Sequence, residues 1–175
     1  MKDFSILNQV DDDIIKDMIE LDKLVFKGDN IGDFNKCREW ITINPDIYTV
    51  LKKDDKVIGY INFMPISDNC YDKIKQSKLK DYELESDDIL SYSSYKPLKC
   101  LFTSIVIHPE YQDTQAIIEL WKGFAKKLKS MEVNISSIII NCVTENGEKF
   151  ITKNLDVNFI TNSHNGKIYE GSLLC

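Results

Sequence analysis

The stretch from Lys99 to Val143 constrains the fold more than any other part of the chain, because its hydrophobic period changes from strand to helix and back. Lys99-Cys-Leu-Phe-Thr-Ser-Ile-Val-Ile107 is apolar and β-branched almost throughout, the pattern of a strand buried on both faces. His108-Pro109 ends it, since proline brings no N–H to a ladder. From Gln112 onward, Ala116, Ile117, Leu120, Trp121, Phe124, Leu128 and Met131 fall on one helical stripe. Ser136 to Val143 returns to the strand pattern. Two buried strands joined by a helical crossover pair in parallel, with a right-handed connection. In such a sheet ligands collect beyond the carboxyl ends of the strands. The turn from Pro109 into the helix presents unpaired N–H groups and the positive end of a dipole to a phosphate. The same pattern also describes a βα turn with no ligand.

With 175 residues and 43% apolar content, the chain is predicted to form one domain, residues 1–175, with a substantial core. The net charge is −6 and no block of Lys or Arg occurs, which argues against nucleic acid or an anionic membrane as the main partner. A cationic or amine-bearing substrate suits that balance. No apolar run approaches the roughly 18 residues that cross a bilayer, and Met1 to Ser5 lacks a signal core. Cys37, Cys70, Cys100, Cys142 and Cys175 show no CxxC spacing and read as reduced thiols of a cytoplasmic protein, Cys100 and Cys142 being core residues. His108 and His164 have no partner at ligand spacing, so no metal is predicted.

Along the chain, Phe4 to Leu7 reads as a short strand, and Asp11-Asp-Asp13 opens a helix with Ile14, Ile15, Met18, Leu21 and Val25 on its apolar face. A second helix follows Asp33 and ends at Asn44-Pro45. Ile47–Lys52 and Val57–Met64 form a hairpin around Lys53-Asp-Asp-Lys56. Residues 67–97 are an insert, read as a surface excursion with one short helix and an acidic stretch (Glu83, Glu85, Asp87, Asp88). Thr144 caps a helix through Asn154. Val157–Ile160 and Lys167–Leu174 close the sheet through the turn dipeptide Asn165-Gly166. The order β-α-α-β-β-insert-β-α-β-α-β-β means a mixed sheet with helices on its faces, α/β or α+β.

That order, together with Val57-Ile-Gly-Tyr-Ile61, Ile105-Val-Ile-His-Pro-Glu-Tyr-Gln112 and Thr144 to Leu155, resembles the GCN5-related N-acetyltransferase (GNAT) superfamily. The resemblance covers almost the whole chain in element order. It implies a central mixed sheet with helices on both faces, and acetyl-CoA as co-substrate. The family's pyrophosphate loop runs Gln/Arg-x-x-Gly-x-Gly/Ala; here Gln112 matches its first position while Gln115 and Ile117 replace the small residues. Glycines let a backbone approach phosphates closely, so a Gln side chain there obstructs the approach or donates its own amide hydrogen bond. The family's last helix often carries a tyrosine that protonates the departing thiolate; Ile151 stands at that position. Its loss slows such an enzyme, since a general acid contributes about 10²–10⁴-fold and a thiol of pKa near ~8.5 leaves readily. Loss of the cofactor cradle silences it.

The resemblance assigns Ile105, Val106 and Ile107 to backbone contacts with pantetheine, and Gln112, Asp113, Thr114, Gln115, Ala116 and Ile117 to the diphosphate. In other folds the first three are a core strand and the rest a capped helix start. No general base stands out. Tyr92, with Tyr95, precedes the fourth strand in a loop that can face substrate, and Tyr92 is taken as the candidate catalytic residue; packing or surface placement is the alternative. The acidic stretch is either a wall for an amine or a solvated run. The expected function is transfer of an acetyl group to an amine of a small molecule or protein, by direct attack. The rival is a catalytically silent CoA-binding or regulatory module of the same fold. An unrelated α/β domain requires the strands at Ile105 and Ile138 to be antiparallel or not adjacent.

Overall fold

The computed structural model describes residues 4–112 and 114–173. Their seven strands follow the order β1-β2-β3-β4-β5-β7-β6. The fold is mixed α/β with five helices, as the element order leads one to expect. Two compact units divide it, residues 1–62 with 104–130 and residues 63–103 with 131–175, so that β3 (Lys56–Pro65) and β4 (Leu98–Ile107) contribute to both.

In the first unit, β1 (Phe4–Leu7), β2 (Tyr48–Lys53) and β3 run antiparallel. The β2–β3 turn is a two-residue hairpin whose Asp54 and Asp55 have φ of 50° and 64°. This left-handed pair matches the right-handed twist of the strands, and a short polar side chain tolerates it better than a bulky one. Helix α1 (Asp12–Val25) is capped by Asp11, which accepts from the Ile14 N–H, and α2 (Phe34–Ile43) by Asp33, which accepts from the Lys36 N–H. The helix following β4, α4 (Gln115–Ser130), packs on β1 and β2 with Ala116, Leu120, Phe124 and Leu128 buried. It begins three residues later than the periodicity places it. Pro109–Tyr111 forms its own 3₁₀ turn, closed by His108 Nδ1 accepting from the Glu110 N–H, and Gln112 is extended. Met131 lies beyond the helix end.

In the second unit β4 and β5 (Ile135–Cys142) pair in parallel, Cys100 opposite Ile138 and Phe102 opposite Ile140. This adjacency is not the antiparallel or separated arrangement that the unrelated-domain reading requires. β5 pairs antiparallel with β7 (Lys167–Ser172), and β7 with the edge strand β6 (Asp156–Asn162). Gly166 in the β6–β7 turn is fixed by space: a Cβ there would stand 2.1 Å from the Cys142 carbonyl oxygen.

The insert is no surface excursion. Helix α3 (Asp68–Lys75) buries Cys70, Tyr71 and Ile74, and Leu84 and Ile89 are buried after it. The segment returns to its own start, with Ser67 N–H bonded to Asp88 O and Leu90 N–H to Pro65 O. Its acidic residues act locally: Glu83 accepts from the Lys80 N–H, and Asp88 accepts from the Glu85 N–H and the Ser67 hydroxyl. Two of the four carboxylates of the expected wall are thus caps of single turns.

Side chains alternate along β5, so α3 and α5 (Glu145–Asn154) meet opposite faces of this unit's sheet. On the α3 face, Tyr71 donates to Glu170 at 2.9 Å and Lys75 Nζ lies 2.7 Å from the same carboxylate. On the α5 face, Tyr169 donates to Glu148 at 2.5 Å, and Lys167 Nζ lies 2.8 Å from it.

Candidate functional site

The β4–α4 junction carries most of the expected cofactor residues. Val106 and Ile107 are buried and Ile105 half-buried. The Ile107 carbonyl accepts from Gln112 Nε2 at 3.1 Å, so Gln112 seals the strand end rather than opening a loop. Gly59 on β3 permits that packing: a Cβ would lie 2.8 Å from the Val106 oxygen and 2.6 Å from Ile107 Cδ1.

An α-helix leaves its first N–H groups without intrahelical partners. Thr114 takes one of them, its hydroxyl accepting from the Ala116 N–H at 3.2 Å while donating to Tyr111 O at 2.6 Å. Gln115 is exposed, and its amide runs along the helix to Glu119, 3.1 Å away. The side chain that the sequence places across the phosphate approach is therefore turned from it. Ala116 is fully buried and Ile117 half-buried. Asp113 lies outside the described residues.

Tyr92 is half-buried in the second unit and donates its hydroxyl proton to Phe63 O at 2.6 Å. Tyr95 is 98% exposed. Ile151 is 1% exposed in α5, an apolar packing residue where the resemblance looks for a phenol.

Two cavities flank β5 in the second unit, one on each face. On the α5 face an open cleft of about 620 Å³ is lined by Cys142, Thr144, Glu148, Lys149 and Lys167, among others. Lys167 and Tyr169 hold the Glu148 carboxyl below its usual range, and the Glu148 hydrogen bond lifts the Tyr169 phenol to about 12. On the α3 face a partly enclosed cavity of about 170 Å³ lies between the insert and the sheet. Its apolar lining is Ile74 and Leu79 from the insert and Leu101 and Ile168 from the sheet, and its polar lining includes Asp81, Asn141, Ser163 and His164. Burial pushes the Asp81 carboxyl up.

The sequence reading missed two buried charges in the first unit. Asp22, 3% exposed on α1, accepts from the Tyr60 hydroxyl at 2.5 Å and from the Gly32 N–H at 2.9 Å. Burial outweighs both bonds and raises its pKa to about 6. Lys127, 6% exposed, donates to Tyr48 O at 2.8 Å and Asn8 O at 3.2 Å, and burial lowers it to about 8. Helical spacing could have found both, since Asp22 stands four residues after Met18 and Lys127 three after Phe124, on the apolar stripes. Among the described residues no group of three or more His, Cys, Asp or Glu could hold a metal, and no helix is long and apolar enough to cross a membrane.

No protein-family profile matches the sequence, and no curated protein matches it. Solved structures do. The loading GNATL domain of CurA from Lyngbya majuscula is 12% identical with a TM-score of 0.62, covering 96% of this chain and 96% of that one. Arabidopsis thaliana Naa50, solved with the bisubstrate analogue CoA-Ac-MVNAL, is 12% identical with a TM-score of 0.61, covering 97% and 99%. PaiA N-acetyltransferase from Thermoplasma acidophilum, solved with coenzyme A, is 12% identical with a TM-score of 0.59, covering 98% and 99%. Likeness at this identity is likeness of fold, and the fold is that of the GNAT acetyltransferases.

Proposed function

We propose, with the GNAT fold as premise, that the chain is an N-acetyltransferase acting from acetyl-CoA on an amine of a small molecule or a protein. The observation that supports this reading is the opening turn of α4, where the Gln115 amide is engaged along the helix by Glu119. Gln115 and Ile117 would offer the N–H groups of that turn and its dipole to the diphosphate, with Thr114 beside them, since the Gln112 and Ala116 N–H groups already bond Pro109 O and the Thr114 hydroxyl. Ile105 and Val106 would meet the pantetheine; the Ile107 carbonyl is already bound by Gln112. When bound, acetyl-CoA would supply a thioester carbon to which the amine nitrogen bonds as the C–S bond breaks, two of the ammonium's three protons going to sulfur and to water and the third staying on the amide. Tyr92 keeps its candidacy as an acceptor only, because its proton is donated to Phe63 O.

Acetyl-CoA at a hundredfold excess over Kd should stabilise the fold by about 2.7 kcal/mol. For a chain of this length that corresponds to a rise in Tm of roughly 5–10 °C. Free thiol should then appear with at least one member of an amine panel. No rise at millimolar acetyl-CoA removes the reading. The buried Ile151 favours a second one, a CoA-binding or regulatory module without catalysis. A Tm rise with no thiol released from any amine selects that alternative.

A further inference from the structure

The narrower cavity on the α3 face is built unlike the open cleft behind it. The insert that roofs it is tied shut where Ser67 and Leu90 meet Asp88 and Pro65, and Tyr71 pins α3 to the sheet at Ile138 O and Glu170. The polar wall opposite is fixed as well. Ser163 donates to Asn141 Oδ1 at 2.8 Å, and Asn141 donates to Asn165 Oδ1 at 3.1 Å, so the Asn141 amide is held in one orientation. Asp81 is steadied by the Tyr82 N–H at 2.9 Å. Its bonds from the Tyr82 N–H and its own N–H leave acceptor capacity on a carboxylate, which has about four lone-pair sites.

The charges on the lining balance. Asp81 and Glu83 are acidic, Lys78 and Lys80 are basic, and His164 stands near enough to act on Asp81. The Glu83 carboxylate is spent on the Lys80 N–H, which leaves Asp81 as the acidic group of the lining and Lys78 and Lys80 as the basic ones. A guest carrying one charge of each sign meets a partner for both, beside an apolar lining that takes a short carbon chain. At a water's share of about 30 Å³ of liquid, the cavity holds a guest of roughly six or more non-hydrogen atoms. We propose that this cavity binds a small amino acid as its zwitterion, the ammonium on Asp81 and the carboxylate toward Lys78 and Lys80. This inference concerns binding within the second unit and stands apart from the acetyltransferase reading.

The test uses the full chain without acetyl-CoA. The probes are L-alanine, L-threonine and L-valine, with isopropylamine and propanoate as the separated halves of alanine. His164 and His108 are the only histidines, so a His164→Gln variant assigns the two imidazole proton resonances. At tens of millimolar, at least one amino acid should shift the His164 resonance and leave that of His108 in place. Isopropylamine and propanoate should each bind at least about tenfold more weakly than alanine. Asp81→Asn should weaken amino acid binding by about tenfold or more, with the Tm rise on acetyl-CoA unchanged. No shift with any of the three amino acids overturns the inference, as does isopropylamine binding as tightly as alanine. Loss of the acetyl-CoA response in the unsubstituted chain would overturn the acetyltransferase reading instead, so the two failures are distinguishable.

Discussion

The two units use their ionisable side chains to different ends. Within residues 1–62 and 104–130, Asp22 and Lys127 are sunk to 3% and 6% exposure and spend their bonds on the chain itself. Asp22 ties the α1–α2 connection at Gly32 to β3 at Tyr60, and Lys127 ties α4 to the carbonyls of Asn8 and Tyr48. Within residues 63–103 and 131–175, Asp81, Glu148 and Lys167 line cavities instead. A buried charge with every bond made to backbone and neighbours is a strut. A charge on a cavity wall keeps capacity for a guest. In the first unit the buried charges brace the fold, and in the second the named charges line cavities.

The largest effect that bears on this contrast comes from Asp22→Ala. It leaves the Gly32 N–H and the Tyr60 hydroxyl buried without a partner, at about 1–3 kcal/mol each. The expected loss is near 3 kcal/mol or more, measured by urea unfolding. Asp22→Asn, whose amide can serve both groups, should stay within about 1.5 kcal/mol of the parent. Equal losses for the two variants would mean that packing, not the bonds, is what Asp22 supplies. Asp81→Ala should cost under about 1 kcal/mol, since only N–H bonds within its own turn are lost at a cavity wall. A loss as large as that of Asp22→Ala would erase the distinction between strut and wall.

Titration sharpens the contrast further. The folded pKa of Asp22, about 6, lies above its ordinary 3.8. Between those values the folded chain holds more protons than the unfolded one, so this residue's contribution to stability falls as pH rises through that window. Lys127 is the converse, with a folded pKa of about 8 against 10.5. There the unfolded chain holds more protons, and the contribution rises with pH from about 8 to 10.5. Urea midpoints measured across pH should show each limb as a difference from Asp22→Asn and from Lys127→Met. A Lys127→Met difference that stays flat above pH 8 would mean the ammonium is not desolvated. The smallest effect belongs to the exposed pair Lys23–Glu20, at 2.6 Å on α1. Lys23→Gln should change stability by less than about 0.5 kcal/mol.

Much of the fold was legible because period and caps are local properties. Asp11, Asp33 and Thr144 each open the helix that their position announces, and the run from Leu98 to Ile107 gives the strand that pairs in parallel with β5. The insert was misread because its composition is polar while its burial depends on where it returns. Nothing near Asp88 says that its carbonyl will meet Ser67. At the candidate site, sequence located the α4 turn but could not see that Gln112 would fold back on Ile107 or that Gln115 would turn to Glu119. Those are rotamer choices, settled by neighbours in three dimensions. Asn141, Ser163 and Asp81 come from three distant stretches, and only folding brings them to one cavity.

Asn141 and Cys142 are consecutive on β5 yet face different chambers, one under α3 and one under α5. Slipping that strand by a single residue would exchange an amide for a thiol on both sides at once. The two chambers are therefore locked to a common ruler: either can change by substitution, but neither can be redesigned by insertion or deletion in β5 without spoiling the other.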